Sequence, residues 1–133
     1  RRLRKGAVLS LELLFVLPIL SVICFAMVEL SFLLMGEQRV QAASVAACRV
    51  GTLPASNAAA QQQAMRDAAA GALGDASLAA SYQMQFEPGQ YAGDPVIVEV
   101  SVPMTAAAPD LLKIIGFSLE GRQLVAQTQM CKQ

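Results

Sequence analysis

Two glutamates and three cysteines are the residues whose positions could support chemistry. Glu12 borders a long apolar run and Glu29 lies inside it, and a carboxyl group in a bilayer is costly unless it has a partner. The chain contains no histidine, the side chain used most often as a general base and as a metal ligand. No pairing of a nucleophile with a base is recognisable. The sequence therefore predicts a non-enzymatic protein without a small-molecule substrate, metal or cofactor.

The three cysteines, Cys24, Cys48 and Cys131, lack the spacing of metal ligands. Cys24 lies in the apolar run and is expected to behave as a small apolar side chain. Cys48 and Cys131 would lie on an exported, oxidising side, where a disulfide can persist. A bridge between them would close a loop of about 80 residues and stabilise the fold by roughly 4 kcal/mol in the chain-entropy model. A Cys48–Cys131 disulfide and two free thiols are both open at this point.

The apolar run 13–35, LLFVLPILSVICFAMVELSFLLM, is the element that must position the glutamates. At about 1.5 Å per residue it makes roughly 34 Å of helix, which matches the hydrocarbon core of a bilayer. Four basic residues lie in the first five positions, and the rest of the chain carries six basic and ten acidic groups, a net charge of −4. This asymmetry predicts a cytoplasmic N-terminus and an exported C-terminal body. It does not favour nucleic-acid binding.

Helical spacing of apolar residues continues beyond the run, at Val40, Ala43, Ala47 and Val50. We expect one helix over about residues 7–50, bent at Pro18. A short basic cytoplasmic segment, 1–6, would precede it, and an exported head, 51–133, would follow. Glu29 would lie about 25 Å beyond Glu12 along the axis. Its expected partner is a polar group of a neighbouring helix, and water at the interface is the alternative.

The head is predicted to be a small α+β unit. A helix over 58–73 would be capped by Ser56 or Asn57. A short helix would begin at Pro109–Asp110 and end at Gly116. Period-two alternation predicts three strands, over residues 78–86, 96–102 and 117–130. The most economical packing lays a short antiparallel sheet against the outer half of the long helix.

Three segments of the first 50 residues carry a resemblance to a known family: RKGAVLSLELLFVLP, AMVEL and QRVQAASVAACRV. They are similar to the start, the later glutamate step and the helix end of the TadE-like family. Its members are pseudopilins or minor pilins of bacterial tight-adherence (Tad/Flp) pilus systems. The resemblance implies a type IV pilin-like fold and a role in pilus biogenesis and surface adhesion.

The resemblance also implies processing by a prepilin peptidase, which in the family leaves a glutamate at mature position five. Glu12 becomes fifth if the cut follows Ala7 and sixth if it follows Gly6, because one extra residue separates the glycine from the glutamate. Gly6, Ala7 and Val8 are therefore the candidate processing residues. The spacing from Glu12 to Pro18 agrees with the family. In a filament of parallel helices, Glu12 could neutralise the freed α-amino group of a neighbouring subunit, and the alternative is a glutamate that reaches the headgroups.

The implied partners are other major and minor Tad pilins, the prepilin peptidase, and an inner-membrane platform with its cytoplasmic ATPase. The implied location is the bacterial inner membrane, single-pass, with a periplasmic head, before any incorporation into an extracellular pilus. Two alternatives stay open. One is an uncleaved bitopic assembly factor of the inner membrane. The other is an exported lipoprotein, because residues 45–48, VAAC, resemble a lipobox about a dozen residues beyond the apolar run.

Overall fold

The computed structural model describes the backbone of residues 2–54 and 57–132, and side chains from residue 10 onward within those ranges. Helix α1, Arg2–Gly51, dominates it. The helix begins about five residues earlier than predicted, because the basic residues at its start are good helix formers. Its end lies where the sequence indicated. Arg1 and Ser56, the second candidate cap of the next helix, lie outside the described residues.

The two halves of α1 have different surroundings. Side chains of the apolar half are mostly exposed, whereas Val40, Ala43 and Ala47 of the second half are fully buried against the head. This confirms the small-residue stripe predicted from helical spacing. Small side chains let the head approach α1 closely, most of all at Gly36, where a built Cβ would lie 2.8 Å from the Cβ of Ala107.

Helix α2, Ala58–Leu73, has the predicted bounds. The side chain of Asn57 caps it by accepting a hydrogen bond from the backbone N–H of Ala59 at 3.0 Å. Gly74, with φ of 65°, ends it in the left-handed conformation that favours glycine. Gly71 lies inside the last turn of the helix.

The predicted strand 78–86 is wrong in its first half. Residues Ala76–Ser81 form a short helix, α3, and strand β1 covers only Gln83–Glu87. The cause is a local cap: a carboxyl oxygen of Asp75 accepts the backbone N–H of Ser77 at 3.0 Å and its hydroxyl at 2.8 Å. These bonds fix the first turn of a helix in a stretch whose alternation of small residues is weak.

Strands β1, β2 (Pro95–Pro103) and β3 (Gln123–Cys131) form an antiparallel sheet in that order. Central strand β2 follows the prediction closely, and its alternate valines are fully buried or nearly so: Val96, Val98, Val100 and Val102. The α+β architecture, with a long N-terminal apolar helix and a three-stranded antiparallel sheet, is therefore confirmed.

The segment between β2 and β3 departs from the prediction. It contains a one-turn helix, α4 (Met104–Ala107), that the sequence did not indicate, and a 3₁₀ helix, Leu111–Ile115, that it did. Residues 117–122 are not part of β3. Their backbone is held elsewhere, because the N–H of Leu119 donates to the Asp110 carboxyl at 3.2 Å.

The sheet lies along the outer half of α1, between two glycines. At one end, a Cβ built on Gly51 would lie 3.3 Å from a methyl of Val96, and at the other a Cβ built on Gly36 would lie 3.2 Å from a methyl of Leu124. Halfway along, the hydroxyls of Ser44 and Thr128 are 2.6 Å apart and form a hydrogen bond between helix and sheet. The head is thus held at a defined height on α1.

Candidate functional site on the long helix

The inner half of α1 presents an apolar surface that the rest of the described chain covers only around Glu29. The helix from Ser10 onward is long and apolar enough to cross a membrane, and its most apolar window is entirely unburied within the chain. Most large side chains of this half are exposed: Leu11, Leu13, Leu14, Phe15, Val16, Leu17, Ile19, Leu20, Ile23, Phe25, Met27, Val28, Leu30, Phe32, Leu34 and Met35. A surface of this size requires lipid or neighbouring helices.

Glu12 lies at the start of this surface. Its side chain is exposed, and it makes no hydrogen bond or ion pair with any side chain or backbone group that the structure describes. Pro18 lies inside the continuous helix. Its ring nitrogen has no hydrogen to donate, so the carbonyl of Leu14 lacks its helical donor. The predicted bend at Pro18 stays a prediction.

The candidate processing residues Gly6, Ala7 and Val8 fall in the first turns of α1. Their side chains lie outside the described part of the chain. Cleavage between these residues therefore stays a prediction from the sequence resemblance.

Glu29 has a partner within its own chain. Its side chain is only 2% exposed, and its Oε2 accepts the backbone N–H groups of Leu111 and Leu112, each at 3.0 Å. The first N–H groups of a helix have no acceptor within that helix. Glu29 supplies one from 82 residues away. This burial contradicts the expected contact with water, and the head supplies a partner that the sequence did not indicate. A further contact with a neighbouring helix stays a prediction.

A second carboxyl group, that of Asp110, joins two parts of the loop 108–122 to each other. Its Oδ2 accepts the hydroxyl of Ser118 at 3.0 Å as well as the N–H of Leu119. The sequence indicated Asp110 only as a helix start. Its partners eight and nine residues further on give no short-range signal.

Each of these two carboxyl groups keeps one buried oxygen, Glu29 Oε1 and Asp110 Oδ1, with no hydrogen-bond partner among the described residues. Glu29 also lines a mostly apolar cavity of about 240 Å³ between α1 and the loop. The other lining residues are Ala26, Leu30, Leu33, Leu112 and Phe117. The Glu29 carboxyl, inside the apolar run, thus holds the loop 108–122 of the head beside that run.

Cys48 and Cys131 are free thiols in the structure, which is one of the two alternatives that the sequence left open. The Cys48 thiol is buried and lies 3.5 Å from the carbonyl oxygen of Val96. Burial raises the pKa of this thiol, and the backbone of Met130 offsets part of the effect. Cys131 is exposed, because Met130 faces inward and successive strand residues face opposite sides of the sheet. The Cys48 thiol therefore lies on the side of the sheet that packs against α1, and the Cys131 thiol lies on the opposite side.

Cys24 is exposed on the apolar half of α1. Within residues 2–54 and 57–132, no three acidic, cysteine or histidine side chains come together in a way that could hold a metal ion.

Residues 7–49 match the family model described as TadE-like protein. The match covers the apolar half of α1 and most of its outer half, and it confirms the family resemblance drawn from those residues. Over these residues the chain is similar to a family of pilus-associated proteins. No curated protein and no solved structure matches the chain.

Proposed function

We propose that this protein is a minor pilin or pseudopilin subunit of a bacterial Tad pilus. Residues 13–35 anchor it in the inner membrane, with the N-terminus in the cytoplasm and the head in the periplasm. It contributes to pilus biogenesis and surface adhesion. The observation that supports this most is that the family match, residues 7–49, coincides with the helix whose most apolar window is not covered by any other part of the described chain.

Assembly through this helix follows from its surface chemistry. Burying apolar side chains stabilises by about 25 cal/mol for each Å² removed from water, and parallel copies of such a helix can pack along their inner halves. Within the lipid that hydrophobic term is small, so the contacts that select a neighbour must be polar or closely packed. Glu12 is the polar group of the inner half that no described residue satisfies.

The partner proposed for Glu12 is the α-amino group of a neighbouring subunit, freed by a prepilin peptidase between Gly6 and Val8. A carboxyl and an ammonium group that meet in the apolar layer neutralise each other, which removes much of the cost of placing either one there. The remaining partners are the other Tad pilins, the inner-membrane platform and its cytoplasmic ATPase.

The test is incorporation of a Glu12→Gln variant into pili in a bacterium with a complete Tad system. We expect the variant to enter the membrane and to be lost from sheared pili. Glu37→Gln is the matched control, because Glu37 is exposed on the same helix but outside the apolar run. Equal incorporation of the Glu12→Gln and Glu37→Gln variants would contradict the charge-pairing step.

Mass spectrometry of the mature N-terminus separates this proposal from its alternatives. A start at Ala7 or Val8 supports a processed pilin. A protein that keeps residues 1–6 is instead an uncleaved assembly factor, and a start at Cys48 with a lipid on its sulfur is a lipoprotein.

A further inference from the structure

The loop 108–122 extends beside the membrane-spanning run. The chain leaves the head next to Gly36, at Ala107, and returns next to Gly36, at Leu124. Between these points it reaches Glu29, seven residues earlier in α1, which is about 10 Å along the helix axis. Phe117 lines a cavity with residues 26–33 of α1. The loop therefore lies below the sheet, at the height of the outer part of the apolar run.

The loop presents apolar side chains outward. Ile114 is 91% exposed, Ile115 57% and Phe117 42%. Outside α1, only three other large apolar side chains of the described residues are exposed, at Leu53, Tyr91 and Val125, which are far apart in sequence. Scattered exposed apolar side chains are normal, whereas a contiguous group marks a surface that something covers.

The polar groups of the loop are largely satisfied within the protein. Glu29 accepts the N–H groups that begin the 3₁₀ helix, and the N–H groups of Gly116 and Phe117 donate to carbonyls of that helix. Lys113 forms an ion pair with Glu120. Irregular backbone is tolerated near the hydrocarbon layer only when its donors are satisfied in this way.

We propose that the loop 108–122 docks the head on the outer leaflet of the membrane, with Ile114, Ile115 and Phe117 among the acyl chains. Lipid is the occupant because the exposed side chains continue the apolar surface of α1 at the same height as Ala26–Leu33. The Arg122 guanidinium, 5.0 Å above the Phe117 ring, lies where it can meet anionic headgroups. The inference rests on the membrane anchoring of the proposed function and adds a second, separate lipid contact.

Docking of this kind explains why Glu29 lies inside an apolar run. A single helix in a bilayer can rotate about its axis and shift in height, and two contacts with the outer leaflet restrict both motions. Glu29 holds the loop against the helix. The loop, inserted in the outer leaflet, then limits rotation of the helix about its axis and its movement across the bilayer.

The test places a fluorophore at Ile114 and measures which quenchers reach it. The full chain, with Cys24→Ala and Cys131→Ser substitutions, carries Ile114→Cys labelled with an environment-sensitive maleimide dye. It is reconstituted into vesicles of phosphatidylethanolamine and phosphatidylglycerol. Cys48 stays unlabelled because it is fully buried. Ile114 is almost fully exposed, so its replacement removes little internal packing.

Two matched sites calibrate the result. Leu20→Cys reports the middle of the span, and Tyr91→Cys reports the distal end of the head, in the loop before β2. We expect a quencher carried on the acyl chains to remove fluorescence at Ile114 as strongly as at Leu20. Iodide in the water should quench at Tyr91 alone.

Each other outcome overturns a defined part of the reasoning. If Ile114 is quenched by iodide like Tyr91 while Leu20 is quenched by lipid, the docking is wrong and the anchoring stands. If neither quencher reaches Ile114, protein such as a second copy of the chain covers the loop, and lipid does not. If iodide reaches Leu20, the membrane anchoring itself is wrong, and the proposed function with it.

Discussion

Replacing Glu29 by alanine should release the loop 108–122 from α1. The change removes the carboxyl oxygen that lies 3.0 Å from the backbone N–H groups of Leu111 and Leu112. The N–H of Leu111 keeps a second acceptor, the carbonyl of Pro109 at 3.0 Å. It leaves the rest of the head in place, because the sheet packs on α1 beyond Gly36 and makes no use of Glu29.

The size of the effect follows mainly from the N–H of Leu112, which loses the carboxyl acceptor. A buried donor left without an acceptor costs about 1–3 kcal/mol, so the closed loop should lose about 1–3 kcal/mol relative to the open loop. Since 1.4 kcal/mol is a factor of ten in an equilibrium constant, amide exchange in the loop should accelerate by roughly 5-fold to 140-fold. Glu29→Gln should cost much less, because one amide oxygen has two lone pairs and can still accept both N–H groups.

The chain has no tryptophan, which makes fluorescence a weak reporter, so the measurement is hydrogen exchange. The full chain in detergent micelles would be followed by mass spectrometry of peptides from the loop and from β2. We expect acceleration in the loop peptide alone. The matched control is Glu37→Ala, which removes an exposed glutamate from the same helix.

The reasoning would be refuted by loop exchange in Glu29→Ala that equals that of Glu37→Ala. Equal acceleration of the loop and β2 peptides would also refute it, since Glu29 would then support the whole head and not only the loop.

Three further predictions follow from the packing and charges of the head. Gly36→Ala should destabilise the protein by about 1 kcal/mol, because overpacking at about 1–3 kcal/mol outweighs a helix-propensity gain of about 1 kcal/mol. Gly71→Ala, whose Cβ would meet nothing within 4 Å, should instead stabilise the protein. Thermal unfolding followed by circular dichroism should show a lower melting temperature for Gly36→Ala and a higher one for Gly71→Ala. Native protein treated with iodoacetamide should gain mass at Cys131 and not at Cys48, whereas labelling of Cys48 before unfolding would show that its burial is wrong. Hydrogen bonds from the backbone N–H and the hydroxyl of Ser77 hold the pKa of Asp75 below its usual range, and the positive charge of Arg39 lowers it further by a smaller amount. Because the folded-state pKa is the lower one, Asp75 stabilises the fold above its unfolded pKa of about 3.9, and this contribution is lost as the pH falls through the folded value. Melts of Asp75→Asn should therefore depend less on pH in the acid range than those of the unchanged protein.

The parts of the fold that the sequence predicted well rest on long, repeated patterns. Helix α1 has an apolar run followed by a small-residue stripe, and β2 has four alternate valines. The first half of the predicted strand 78–86 failed because its alternation involves small side chains that bury little area. A single capping residue, Asp75, then decides the local structure. That signal was present in the sequence, as an aspartate before a stretch of alanine, serine and leucine.

The candidate site was predictable only in part. A carboxyl group inside an apolar run must find donors, which correctly marked Glu29 as a residue of interest. Nothing local indicates that its donors lie at Leu111 and Leu112, because the contact depends on where the chain between β2 and β3 runs. The same limit applies to Cys48 and Cys131, whose relation depends on which face of β3 turns inward.

The two glutamates differ because of how far the head extends along α1. The loop 108–122 reaches Glu29, whereas Glu12 is 17 residues further toward the N-terminus, about 25 Å along the axis. The partner of Glu29 therefore comes from its own chain, and a partner for Glu12 must come from another molecule or from the headgroups. This difference predicts opposite behaviour of two matched substitutions. Glu12→Gln should reduce incorporation into pili and leave hydrogen exchange in the loop unchanged. Glu29→Ala should accelerate that exchange in every environment, including detergent in which the chain is alone. If Glu12→Gln changed exchange in the loop, the two carboxyl groups would be coupled through the helix, and the separation of an internal from an external partner would be wrong.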